Sequence, residues 1–265
     1  TNSVLDAQKD ENISVAGVTA AGNYIWMNTL QGQEGSVKAL GDKRVRQAIN
    51  YAVDKEGIVR VFDNVHTPAN GPALPWHIAF DPNHKNYPFD QAKAKSLLAE
   101  AGYADGEVKI NYWTSANPET VTLGEVVRSN LTDVGMDINF RVLGRSESFR
   151  ITRRRNQTQV HMDSLNIGLK FDQEYYDIFF TDRSNRSHAP YPILEELMDE
   201  ARVTTDEEVH KRVYKQAADY VFEEALLVWP YWSSRFAVGK KGVLEPTMWP
   251  GENMWMPFLW KARKE

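Results

Sequence analysis

The sequence predicts an α/β lobe: a mixed sheet that contains a βαβ unit and is flanked by helices. Two observations carry this. Short stretches with apolar residues at every second position alternate with longer stretches that repeat at helical spacing. One of them, Val108 to Val142, reads strand, helix, strand without a break. A helix of that length between two strands joins a parallel pair by a right-handed crossover.

Taken in order, Asn2 to Asn28 reads as strand-like segments with a glycine-rich break over Gly17 to Gly22, and Tyr24 to Asn28 as a short apolar strand. Gln31 to Gly41 is polar and glycine-rich, hence a loop. Asp42 is placed to cap a helix, because its carboxylate can accept the unpaired amides of the first turn. Val45, Ala48, Ile49, Ala52 and Val53 then form one buried face. Asp54 caps a second short helix that carries Ile58, Val61 and Phe62. A proline-rich loop, Thr67 to Pro88, follows. Asp90 caps a helix with Ala94, Leu97, Leu98 and Ala101 inward, and Gly102 ends it in the left-handed conformation glycine adopts freely.

In the βαβ unit, Val108, Ile110 and Tyr112 alternate with polar or outward residues. Pro118 sits where a first helical turn tolerates it. Leu123, Val126, Val127, Leu131 and Val134 form the helical stripe, Gly135 stops it, and Ile138, Phe140 and Val142 form the second strand. Ser146 to Arg155 reads as a helix and Val160 to Ile167 as a strand. Pro192 opens a helix, and Thr205 or Asp206 begins a long one. Ala225 to Trp232 is an apolar strand that Pro230 consigns to an edge or a bend. From Gly239 onward the chain is irregular, aromatic and proline-containing.

Composition narrows the function. The 265 residues carry no cysteine, which excludes disulfides, thiol catalysis and cysteine-type zinc sites. The net charge of −5 argues against nucleic acid as a partner. No phosphate loop, dinucleotide fingerprint or nucleophile elbow is present. His66, His77 and His84 lack metal-ligand spacing, so no metal and no cofactor is implied. The eight tryptophans and eleven tyrosines suit a ligand groove as well as a core.

In open parallel sheets, ligands lie beyond the carboxyl ends of the strands. Three such ends supply candidates: Trp113 and Asn117 from the first, Arg145 from the second, and Lys170, Asp172 and Tyr175 from the third. Trp and Tyr would stack on a solute, Asn would hydrogen-bond, and Arg, Lys and Asp would fix its polar ends.

The run from Asp42 to Ile58, DKRVRQAINYAVDKEGI, is followed by Pro-Ala-Asn-Gly-Pro at 68–72 and by YPFDQAKAKSLLAEAGY at 87–103. This order resembles the distal lobe of the peptide/oligopeptide/nickel class, family 5, of ABC-transporter solute-binding proteins. The resemblance covers about Asn28 to Trp260. It implies a periplasmic-binding-protein-like lobe, no catalysis, a small polar organic solute (peptide, oligosaccharide or similar), and an ABC-transporter permease as partner. It also implies a periplasmic or extracellular location, peripheral to the membrane through that permease or membrane-anchored in the full-length protein. Residues 1–27 would be a hinge or proximal-lobe remnant, 28–228 the distal lobe, and 229–265 the return strand and a C-terminal segment. The chain would thus be a C-terminal fragment of a two-lobed protein. Peptide-binding members place an amine-pairing acid where Tyr175 stands here, so an aromatic replaces it and the resemblance tilts from dipeptides towards sugars. Two alternatives stand beside this reading. One is a glycan hydrolase using Asp163 and Asp172, since glycosidases need two carboxyls across a cleft. The other is a sensory or interaction module on the same fold.

Overall fold

The structure, a computed structural model, describes residues 2–29, 38–144, 146–148, 162–167, 176, 177, 179–181 and 191–242. Its elements are α1 (Asn2–Lys9), β1 (Ile13–Met27), α2 (Lys38–Gly41), α3 (Lys43–Ala52), α4 (Lys55–Val61), β2 (Thr67–Pro68), α5 (Gln91–Glu100), β3 (Lys109–Ser115), α6 (Pro118–Asp133), β4 (Asp137–Leu143), β5 (Met162–Ile167), α7 (Pro192–Arg202), α8 (Glu207–Glu223), β6 (Leu227–Val228) and β7 (Tyr231–Lys240).

The described strands form one mixed sheet in the order β2-β7-β1-β5-β3-β4, with β6 pairing β1. β3 runs parallel to β4 and β5, and α6 is the crossover of the expected βαβ unit. The aspartate caps form as the sequence implies. Asp42 accepts from the Arg44 amide, Asp54 from Gly57, Asp90 from Lys93, and Asp206 from Glu208 and Val209. Gly102 and Gly135 follow α5 and α6 with φ of 88° and 91°, the left-handed region where a Cβ is costly.

Each face of the sheet carries its own core. On one, Ile25, Ile110, Tyr112 and Met162 pack against the inward faces of α3 to α6, through residues such as Val45, Ile49, Leu97, Leu123 and Leu131. On the other, Tyr24, Trp26, Trp113 and Trp232 meet Leu194 and Met198 of α7 and Val213, Ala217 and Val221 of α8. The result is a helix–sheet–helix sandwich, which α/β patterning dictates when both sheet faces are apolar.

The first segment departs from expectation. Residues 2–9 are helical, and Gly17 to Gly22 do not break the strand that follows. β1 runs through them for 15 residues. The glycines allow close approach rather than a turn. A Cβ on Gly17 would lie 2.8 Å from the Phe236 ring, and one on Gly22 would strike the Tyr24 side chain. The return strand is also longer than expected. Pro230 separates β6 from β7, but β7 then continues to Lys240 and pairs with β1 as far as Ile13. The helix expected over 146–155 is described only at 146–148, where it is helical.

Strand lengths decide the shape at one end. β1 pairs with β5 only from Gly22 to Met27, whereas it pairs with β7 from Ile13 to Gly22. Beyond Gly22 the two strands therefore leave the sheet as a two-stranded ribbon, past the carboxyl ends of β3 and β5. α1 packs on this ribbon, and Trp76 of the 69–84 loop donates its indole N–H to the Thr19 carbonyl at 3.0 Å.

Candidate functional site

A cleft of about 550 Å³ opens at the root of the ribbon. That size lies within the range of small-molecule sites. Its floor is the start of α6: Asn117, Pro118, Glu119 and Thr122. One wall is β7 through Ser234, Arg235 and Phe236, and the other is the end of α4 with Phe62, Val65 and His66. It adjoins a second hollow of about 410 Å³ that reaches Leu5 of α1 and Thr19 of β1.

Local sequence explains the floor. Asn117 is the N-cap of α6, and its side-chain oxygen accepts the Glu119 amide at 2.9 Å. Pro118 fills the first helical position, which needs no N–H. Glu119 then sits in the first turn, where the helix dipole favours a carboxylate.

Glu119 is the hub of the site. Its Oε1 accepts the Ser233 hydroxyl at 2.8 Å and the Tyr231 hydroxyl at 3.2 Å. Its Oε2 takes an N–H of Arg235 at 3.4 Å. Tyr231, Ser233 and Arg235 alternate along β7 and so share one face. His66 completes the group. Its ring stacks on Tyr231 at 4.8 Å, its Nδ1 accepts the Ser234 amide at 3.2 Å, and its Nε2 lies 3.7 Å from Glu119 Oε1. An accepting Nδ1 puts the ring proton on Nε2, directed at the carboxylate.

The charge states follow from these contacts. Burial would raise the Glu119 pKa, but the Ser233 hydrogen bond and the Arg235 charge outweigh it, so the carboxyl titrates below its usual range. Burial lowers the His66 pKa, against the pull of Glu119, and the ring stays neutral. Burial likewise raises the Tyr231 hydroxyl, helped by the adjacent carboxylate. The arrangement is an ionised acid held by an arginine and two hydroxyls, beside an apolar cleft. It can fasten the ribbon to the lobe and present polar groups to a bound solute.

Two outcomes are expected. Glu119→Gln should cost about 1–3 kcal/mol of local stability, because a buried network loses its charge. Amide exchange at Ser233 to Arg235 should quicken by roughly tenfold or more, with α3 unchanged. Melting temperature should also fall on acidification. A lowered Glu119 pKa gives stability that is present above the carboxyl's ordinary value and is lost as pH drops through the folded value. His66, also lowered, adds a cost that grows once pH falls below about 6.5, where the unfolded chain takes up the proton first. A melting series across this range with wild type and Glu119→Gln checks both, and the variant should show the flatter profile.

The residues singled out from sequence fare differently. Asn117 lines the cleft and is exposed, with its side-chain oxygen committed to the helix cap. Trp113 is 7% exposed and belongs to the core on the α7–α8 face. The Arg141 guanidinium covers its ring at 5.3 Å from the centroid. The structure does not bring Trp113 and Asn117 into one cleft. Arg145, Lys170, Asp172 and Tyr175 lie outside the described residues. Asp163 is 3% exposed and stands in register between Trp26 and Trp113, away from the cleft. Glu119, His66 and Arg235 were missed. Sequence offered one hint, the one-face alternation of Tyr231, Ser233 and Arg235.

Comparison with known proteins sets this geometry in context. The model of the bacterial extracellular solute-binding proteins, family 5 (middle region), matches residues 1–187. The glutathione-binding protein GsiB of Pectobacterium atrosepticum is 35% identical over 133 residues, which is 49% of this chain and 24% of that protein. Heme-binding protein A of Haemophilus influenzae is 34% identical over 122 residues, 44% of this chain and 21% of that protein. The matched stretch thus spans about a quarter of the length of these relatives. Two solved structures superpose over 100% of the chain with a TM-score of 0.82. The dipeptide-binding protein of Pseudoalteromonas sp. SM9913 with Met-Leu is 22% identical, with 52% of it covered, and NikA of Brucella suis with Fe(III)-EDTA is 21% identical, with 55% covered. At that identity the likeness is one of fold. The family match covers well over half the chain, and the chain belongs to the bacterial extracellular solute-binding proteins of family 5.

Proposed function

We propose that this chain forms the distal lobe of the solute-binding component of an ABC importer. The solute would be taken between this lobe and a second one, and the closed form handed to a permease by a hinge motion. The observation that carries the reading is the cleft at the root of the ribbon. It combines apolar walls, a guanidinium, a carboxylate and the Asn117 amide at the carboxyl ends of the parallel strands, where α/β folds bind ligands. In this reading residues 1–27 and 229–265 are the hinge side and 28–228 the lobe, with sheet register tying 22–27 to the lobe as well.

The solute class is a peptide-like or other polar organic molecule. Relatives are described as binding glutathione, haem, a dipeptide or a metal chelate. None of those named above is described as binding an oligosaccharide, so the tilt towards sugars has no support from them. Arg145, Lys170, Asp172 and Tyr175, which follow β4 and β5 in the chain, remain proposed solute contacts together with Asn117, whereas Trp113 serves the core. The reading contains no catalytic step, and one of the two acids a hydrolase would use, Asp163, is buried away from the cleft. The location proposed is periplasmic or extracellular. Among the described residues, no helix is long and apolar enough to cross a membrane.

A thermal-shift panel tests this with glutathione, di- and tetrapeptides, haem and nickel chelates, on a protein carrying this lobe and its partner lobe. A ligand that binds only the folded state raises the melting temperature. A saturable rise with one class supports the reading and names the solute. A flat response to all of them moves weight to a sensory or interaction role.

A further inference from the structure

A small cavity lies under the 69–84 loop, between that loop and α8. Its lining includes Asn70, Gly71, Asp81, His84 and Lys215. It belongs to neither the cleft nor the Glu119 network.

Two buried polar atoms beside it have no hydrogen-bond partner among the described residues: Asn70 Oδ1 and His84 Nε2. The orientation of each group is fixed by its other contacts. Asn70 Nδ2 donates to the carbonyls of Asp81 at 3.2 Å and Pro82 at 2.8 Å, so its oxygen must face the other way. The His84 side chain is 5% exposed, and its Nδ1 lies 3.6 Å from the Asp219 carboxylate. Burial lowers the His84 pKa, against the pull of Asp219, so the ring is neutral. In a neutral ring the charge of the nearby carboxylate favours the tautomer with the proton on Nδ1, which leaves Nε2 a lone pair.

Two acceptors therefore border one cavity, and neither can satisfy the other. A single species with two hydrogens to donate can satisfy both. The cavity offers about 10 Å³, close to the space one water needs and far too little for an organic solute. A metal or alkali cation is disfavoured because the Lys215 ammonium already lies 3.6 Å from the Asp81 carboxylate and 3.3 Å from that of Asp219.

We infer that this cavity is a binding site for one ordered water, which donates one hydrogen to His84 Nε2 and the other to Asn70 Oδ1. The water ties the two ends of the 69–84 loop to each other, and His84 in turn meets the rings of Phe222 of α8 at 5.8 Å and of Trp229 at 5.9 Å. Through Trp76 the same loop holds Thr19 of β1, so the water fixes one support of the ribbon. Leaving both acceptors unpaired would cost more than immobilising one water.

The test is a crystal structure of the chain at a resolution that shows ordered water, with nitrogen NMR of the His84 ring on the same wild-type protein. Density within hydrogen-bond distance of both atoms, and a proton on Nδ1, are expected. A proton on Nε2 pointing directly at Asn70 Oδ1 overturns the inference, as does a cavity with no density. Gly71→Ala gives an independent check that leaves both polar groups in place. Its Cβ would lie 2.9 Å from His84 Cδ2 and push the ring into the cavity. Loss of the water, with a changed His84 ring signal, is the expected result. An unchanged water in that variant would mean that the ring does not border the site.

Discussion

Lys55→Met is expected to stabilise the protein by about 3 kcal/mol at pH 7. Lys55 opens α4 with its side chain inside the protein, and its ammonium donates to the Asn86 side-chain oxygen alone among the described residues. Burial pushes its pKa down to about 7, and the positive end of the helix dipole lies on the same side of the balance. Methionine keeps an unbranched apolar stem, one atom shorter, without the charge. The Asn86 oxygen still accepts the Tyr87 amide at 2.9 Å, so its loss is partial. The pH dependence gives the effect a distinct signature. The folded pKa lies below the unfolded one, so between about pH 7 and 10.5 the unfolded chain binds the extra proton. Wild-type stability should rise with pH across that window, and the variant's should not. Urea unfolding at several pH values reads this directly. Equal slopes in the two proteins would contradict a buried, destabilising amine.

Arg46→Ala is expected to cost about 3–5 kcal/mol. The guanidinium is 7% exposed and answers backbone carbonyls from two separate helix ends. Nη1 donates to Leu40 and Gly41 at 3.0 Å each, and Nε and Nη2 to the Glu224 carbonyl at 3.0 and 2.9 Å. Leu40 and Gly41 end α2, and Glu224 is the C-cap of α8, so a cation there also meets two negative dipole ends. Alanine leaves three carbonyls without this donor, and lysine, a point charge, cannot reach all three in one plane. A lower urea midpoint at unchanged slope is the expected result, with only partial rescue in Arg46→Lys. Full rescue by lysine would show that charge alone, and not the planar fork, is what the site needs.

These two residues also mark what could and could not be read in the chain. Both stand in the DKRVRQAINYAVDKEGI run that suggested the family, and the helices there were legible because aspartate caps and apolar spacing are local signals. The βαβ unit was legible for the same reason. Burial of Lys55 and Arg46 was not, since their partners, Asn86 and Glu224, lie far along the chain. The glycines of β1 misled because glycine marks a turn or a close approach with the same letter. Only the facing Phe236 ring and the Tyr24 side chain decide which. Glu119 was the most consequential omission. In sequence it is an ordinary first-turn acid, while its partners at Tyr231, Ser233 and Arg235 are more than a hundred residues away.

The cleft at the root of the ribbon is proposed to receive the solute. The absence of cysteine permits a direct measurement. Thr122→Cys places a single thiol on the cleft floor, and Glu196→Cys places one on the exposed surface of α7. Each variant, in the two-lobed protein with any cysteine outside these 265 residues replaced by serine, carries an environment-sensitive fluorophore and is titrated with glutathione, Met-Leu, haem and a nickel chelate. A saturable change at Thr122 with one of these, and none at Glu196, is the predicted result. A saturable change at Glu196 with none at Thr122 would place the solute elsewhere and contradict the account.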